Sequence, residues 1–112
     1  SPDGGHIAYS TDVRDTGQEA LFVVAADGTG ATKVTDGSFW SSRVWSPDGS
    51  RLAYVRYEDR QEEDYVRTNF VEVFGVGGEN PVTLGELTRS PLCYIYLTWR
   101  PNGVEYGFYC ES

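Results

Sequence analysis

One tight turn, written three times along the chain, constrains the fold more than any other feature. Ser1-Pro2-Asp3-Gly4 leads into His6-Ile7-Ala8-Tyr9, Trp45-Ser46-Pro47-Asp48-Gly49 leads into Arg51-Leu52-Ala53-Tyr54, and Trp99-Arg100-Pro101-Asn102-Gly103 leads into Val104-Glu105-Tyr106. Proline presets φ near −65°, the Asp or Asn side chain bonds back to the backbone, and glycine accepts φ > 0. That order of residues predicts a type I turn with a bulge, joining two strands. In the middle copy Leu52 and Tyr54 share one face, and Arg51 and Ala53 share the other.

The prolines stand 45 and 54 residues apart. A second alignment works at a shift of 50, where Leu21 to Gly28 lies over Val71 to Gly78 and Val34 lies over Leu84. The extra residues then fall in two loops, before Val71 and between Leu84 and Trp99, as expected for a fixed strand framework. Each repeat holds four short extended runs, A to D. Residues 1–35 carry runs B-C-D, residues 42–84 carry A-B-C-D, and residues 93–110 carry an A-B hairpin. Asp27-Gly28 and Gly77-Gly78 are hairpin signals between C and D.

The chain has 112 residues, which bounds it to one domain. Thirteen glycines, five prolines and abundant aromatic and β-branched residues make it all-β, with antiparallel strands in small sheets. The net charge of −8 argues against holding a nucleic-acid backbone and against an anionic membrane surface. No apolar run reaches the ~18 residues of a membrane span. The chain does not begin with Met and opens on the turn itself, so the expectation is a processed mature chain or a piece of something longer.

A period of ~40–50 residues with four strands is the signature of a β-propeller blade. The Trp-Ser-Pro-Asp-Gly-x-x-Leu-Ala-Tyr stretch resembles the repeat of the TolB-like propellers, also called WD40-like or PD40 repeats. Related blades occur in the non-catalytic propellers of prolyl-oligopeptidase-type and tricorn-type peptidases. The third copy departs from the pattern, with Asn102 for Asp and Glu105-Tyr106-Gly107 where the others have Ala-Tyr. TolB-like propellers usually carry about six blades, so the resemblance implies an incomplete ring. An open blade face or a bare strand edge invites another chain. The resemblance therefore implies a protein partner, either other copies of the chain or the remainder of a propeller.

Few residues suggest chemistry. A two-residue turn at Pro101-Asn102 sets Cys93 opposite Cys110, whereas a bulged turn at Gly103 sends them to opposite faces unless a second bulge compensates. A structural disulfide is the expectation and two buried thiols the alternative; the staple contributes ~3 kcal/mol by chain entropy. The run from Tyr57 to Tyr65 holds five carboxylates in the B–C loop, without the alternating spacing that wraps calcium. Asp12 to Gly17 sits in the equivalent loop of the first repeat. Neither is expected to hold a metal, and no cofactor is expected.

His6 is the lone histidine and aligns with Arg51, which predicts a solvated strand position. No nucleophile elbow or triad can be assembled, so no catalytic residue is expected and the chain is read as a non-enzyme. Phe39 and Trp40, in the first D–A loop, and Tyr94 and Tyr96, in the second A strand, are candidate interface residues. The leading expectation is a secreted or periplasmic propeller module for protein interaction, scaffolding or self-assembly as a ring or fibre. The alternatives are a fragment of a peptidase gating propeller and a small lectin-like propeller.

Overall fold

The computed structural model describes the backbone of residues 1–13, 18–61, 65–77, 80–89 and 93–110; the side chains of residues 12–18, 40–42, 60–65, 78–79, 89–94 and 108–112 lie outside the described set. Among the described residues there are strands and no helix. They are β1 (His6–Val13), β2 (Gln18–Ala25), β3 (Thr32–Asp36), β4 (Ser38–Trp45), β5 (Arg51–Gln61), β6 (Tyr65–Gly75), β7 (Val82–Arg89), β8 (Cys93–Arg100) and β9 (Gly103–Cys110). They form three antiparallel sheets with strand orders β1-β2-β3, β4-β5-β6-β7 and β8-β9. The expected all-β fold with no closed ring is what the structure shows.

The sheets stack face to face, and the four-stranded one lies in the middle. Four consecutive residues of β5, Leu52 to Val55, are wholly buried. A strand alternates its side chains, so such a run requires cover on both faces. Leu52, Tyr54 and Phe74 pack against Leu21, Val23 and Val34 of the first sheet. On the other face Val71 meets Ile95 and Tyr106 of the third sheet. Burying each such aliphatic side chain contributes about 1.5–3 kcal/mol. The stack measures 47 × 39 × 20 Å with a radius of gyration of 14.7 Å. A compact ball of this length has ~13 Å, so the molecule is an open slab of sheets.

The first two turns share one hydrogen-bond set. Gly49 N–H donates to the Ser46 carbonyl at 2.9 Å, and Gly4 N–H to that of Ser1 at 3.0 Å. Gly49 lies at φ 75°, where a Cβ would be strained. The Ser46 hydroxyl donates to Asp48 Oδ1 at 2.7 Å and accepts the Arg51 N–H at 3.0 Å. Ser1, Asp3 and His6 repeat these bonds at 2.6 and 3.0 Å. The third turn differs. Arg100 stands where the serine should be, and Arg100 pairs directly with Gly103, so the loop shrinks to Pro101-Asn102. Of the two registers open to the sequence, this one holds along the whole hairpin and sets Cys93 opposite Cys110. Their side chains lie outside the described residues.

Three expectations need correction. The charged run from Tyr57 is not a loop up to Gln61; it continues β5, paired with β6 as far as Gln61 with Tyr65. Asp59 is bonded by Arg67 Nε at 2.7 Å, and the Arg67 guanidinium lies 3.9 Å from the Tyr57 ring centre. Such cross-strand pairs hold a solvated ribbon that has no apolar face to reveal it. Phe39 and Trp40 belong to β4 rather than to a loop: Phe39 pairs with Arg56, ahead of a register shift that ends at Arg43. His6 is half-buried rather than solvated, for a reason given below.

Candidate functional site

The two blade junctions are built by the same device. The first residue of strand β1, His6, lies 6.2 Å from the ring of Trp45, the last residue of β4. One repeat later Arg51 begins β5 and its guanidinium sits 5.0 Å over the ring of Trp99, near the end of β8. A cation over an indole face is attracted by the ring quadrupole. Trp99 adds a hydrogen bond from Nε1 to the Val44 carbonyl at 2.8 Å, which ties the third sheet to β4, an edge strand of the second. The sequence pattern contained this clasp: a basic or imidazole residue two places after the turn glycine, and a tryptophan just before the next turn. Solvation was expected of His6 because its neighbour across the junction is not adjacent in sequence.

The turns carry electrostatics of their own. Hydrogen bonds from the Ser46 hydroxyl, the Ser50 N–H and the Ser50 hydroxyl hold the Asp48 carboxyl down to about 2, against an ordinary 3.8. The Ser1 hydroxyl and Gly5 N–H lower Asp3, and the Thr29 hydroxyl and N–H lower Asp27. A carboxyl lowered in the fold binds its proton more readily when unfolded. Its contribution is therefore present above pH 4 and lost as pH falls towards 2. The melting temperature is expected to drop over that window, and Asp48→Asn to flatten the drop. Ser46 is 2% exposed, so Ser46→Ala is expected to cost about 1–3 kcal/mol in urea unfolding through the orphaned Arg51 N–H.

A buried polar network sits on the first-junction face of the middle sheet. Glu72, 5% exposed, accepts the Tyr54 hydroxyl at 2.9 Å on Oε1. Its Oε2 accepts Arg56 Nη2 at 3.1 Å and the Thr83 hydroxyl at 3.1 Å. Arg56 also bonds Glu58 at 2.7 Å and stacks over Phe70 at 4.3 Å. Burial first, then the Glu72 charge and hydrogen bond, pushes the Tyr54 phenol far up, so it stays a donor. Every acceptor of Glu72 is used, which makes this a structural lock. Among the described residues no group of three or more His, Cys, Asp or Glu is placed to hold a metal.

The remaining surfaces are the open faces of the stack. On the first sheet Ile7 is 51% exposed, and Tyr9 and Phe22 stack at 5.4 Å and 13° on the same side. Ile7 and Tyr9 correspond to Leu52 and Tyr54 of the middle sheet, which are buried against a neighbour. On the last sheet Tyr96 is 54% exposed on the outward face, where its ring covers Gly107. Phe39 turns inward and meets Tyr54 edge-on at 6.0 Å. The side chains of Trp40 and Tyr94 lie outside the described residues. Ile7 was not singled out from the sequence, because an Ile in an alternating strand reads as core.

Stacked antiparallel sheets of three, four and two strands define the class: an all-β segment of propeller blades with no closed ring among the described residues. Comparison with known proteins points the same way. The chain is 39% identical over 67 residues to the Tol-Pal system protein TolB of Thioalkalivibrio sulfidiphilus, covering 54% of this chain and 15% of that protein. It is 43% identical over 63 residues to the Tol-Pal system protein TolB of Dechloromonas aromatica, covering 55% and 14%. It is 28% identical over 114 residues to the uncharacterized protein Atu1656 of Agrobacterium fabrum, covering 96% of this chain and 37% of that protein. The chain thus spans a minor part of the length of these relatives. No family model matches it, and no solved structure does.

Proposed function

We propose that the chain is a non-catalytic propeller module that serves protein interaction, as a scaffold or by self-assembly, outside the cytoplasm. The observation that carries this reading is the uncovered face of Ile7, Tyr9 and Phe22, whose repeat counterparts Leu52 and Tyr54 are fully buried against a neighbouring sheet. A face whose repeat counterpart is covered by a neighbouring sheet is a contact surface for protein, either another copy of the chain or the remainder of a propeller. Similarity to proteins named for the Tol-Pal system supports an interaction role, and periplasmic placement is part of the same proposal. The direct opposition of Cys93 and Cys110 in the register suits a disulfide, which belongs in an oxidising compartment.

Sedimentation of the 112-residue chain tests the reading. Association into assemblies of two or more copies is expected at micromolar concentration, and Ile7→Lys is expected to return them to monomers. A monomer at every concentration, unaffected by Ile7→Lys, would overturn it.

A further inference from the structure

We propose that Asn102-Gly103, in the turn between β8 and β9, is a site of spontaneous covalent modification, at which Asn102 converts to aspartate and isoaspartate and so resets the third turn of the repeat. The chain holds three asparagines. Asn69 is 3% exposed and is followed by the bulky Phe70. Asn80 is followed by Pro81, whose ring nitrogen has no proton to give up. Asn102 alone is exposed, lies in a two-residue loop and precedes a glycine.

The other turns show what is missing here. Asp3, Asp27, Asp36 and Asp48 also precede glycines, but each of those glycines is tied down. The N–H groups of Gly4, Gly28, Gly37 and Gly49 donate to the carbonyls of Ser1, Ala25, Glu19 and Ser46 at 3.0, 2.8, 2.9 and 2.9 Å. The Asp3, Asp27 and Asp48 side chains are held as carboxylates by serine or threonine hydroxyls and backbone N–H groups, and a carboxylate resists attack by a nucleophile. In the third turn Arg100 stands in place of Ser46 and Val104 in place of Ser50, so the hydroxyls that hold Asp48 have no counterparts. The Asn102 amide is uncharged and is a better electrophile. Gly103 lies at φ 137°, and a Cβ there would meet nothing within 4 Å, whereas one on Gly49 would meet the Asp3 carboxylate at 3.0 Å. Gly103 pairs with Arg100 as the last rung of the hairpin, and the last rung is the first to fray. The exposure of the turn is a property of the repeat: Asp48, in the sheet flanked on both faces, is exposed as well.

The chemistry needs water alone. The Gly103 nitrogen bonds to Asn102 Cγ, the Cγ–Nδ2 bond breaks, and ammonia leaves with the proton that Gly103 gives up. Water then opens the five-membered imide. Addition at Cγ returns an ordinary backbone with an aspartate side chain; addition at the main-chain carbonyl leaves isoaspartate, with Cβ in the main chain. Nothing is oxidised or reduced, and the chain gains one negative charge. The aspartate product carries the Pro-Asp-Gly of the other two turns. The isoaspartate product lengthens a loop whose two residues set the register from Arg100 opposite Gly103 to Cys93 opposite Cys110. Trp99, under Arg51 and bonded to the Val44 carbonyl, stands at the base of that loop, so the isoaspartate form loosens the clasp at the second junction.

The full chain is kept for weeks at physiological temperature in mildly alkaline buffer, and samples are digested and mapped by mass. The peptide carrying Asn102 is expected to gain the mass of exchanging NH2 for OH, while those carrying Asn69 and Asn80 stay unchanged. A protease that cuts before aspartate is expected to split the bond after Pro101 in one fraction, and a protein isoaspartyl methyltransferase to methylate the other. Asn102→Gln is expected to remove both signals. Hydrogen exchange of the isolated isoaspartate form is expected to show lost protection in β8 and β9, and Asn102→Asp to retain it, which separates the backbone change from the added charge. Circular dichroism confirms that both variants are folded. No mass gain at Asn102, or equal gain at Asn69 or Asn80, overturns the site. Unchanged protection of β8 and β9 in the isoaspartate form overturns the resetting of the turn.

Discussion

Glu72→Ala is expected to destabilise the chain by about 3–5 kcal/mol, a large share of what a single domain has. The substitution leaves the Arg56 guanidinium without its main carboxylate, and the Tyr54 and Thr83 hydroxyls without an acceptor. Tyr54 is wholly buried and Arg56 only 17% exposed, so water cannot replace what these two lose, whereas the exposed Thr83 hydroxyl turns to solvent. Glu72→Gln keeps an acceptor for Tyr54 and is expected to cost less. Replacing Glu72 and Arg56 together by Leu and Met removes both charges and is expected to recover much of the loss. Urea unfolding of the variants measures all of these. A cost below ~1 kcal/mol for Glu72→Ala contradicts the network as a lock.

Leu52→Ala is the second large effect, at about 2–5 kcal/mol. Leu52 is 0% exposed between the first two sheets, and the cavity left by its side chain cannot be filled without moving both. Leu84→Ala removes the same atoms from a side chain 46% exposed at the second junction. It is expected to change stability by no more than ~0.5 kcal/mol. The contrast between two leucines of the same sheet measures how far the second junction is open.

What the chain reveals of itself in sequence follows from what is local. The turns at Pro2 and Pro47 are readable because proline, aspartate and glycine act within four residues. The third turn is misread if proline and glycine alone are counted; the missing serine before Pro101 is what shortens it. The all-β, blade-like stacking is readable because repetition carries long-range information in a local pattern. The extension of β5 through Asp59 is hidden, since its partners Arg67 and Tyr57 are held together only by the hairpin. Glu72 is hidden for a related reason. A carboxylate between Val71 and Val73 looks like an outward residue, and only the register with Tyr54 shows that it faces the interior. The contact surface at Ile7 is least readable, because core and interface use the same residues.

Amide hydrogen exchange resolved by residue tests the open stack of sheets most directly. Slowest exchange is expected at the centre of β5 and β6, around Val55 and Val71, where sheets cover both faces. The outer amides of β1 and β9, each paired with a single strand among the described residues, are expected to exchange orders of magnitude faster. Equal protection of β1, β5 and β9 in the monomer would contradict the open stack, since it requires a ring or barrel closed within one chain.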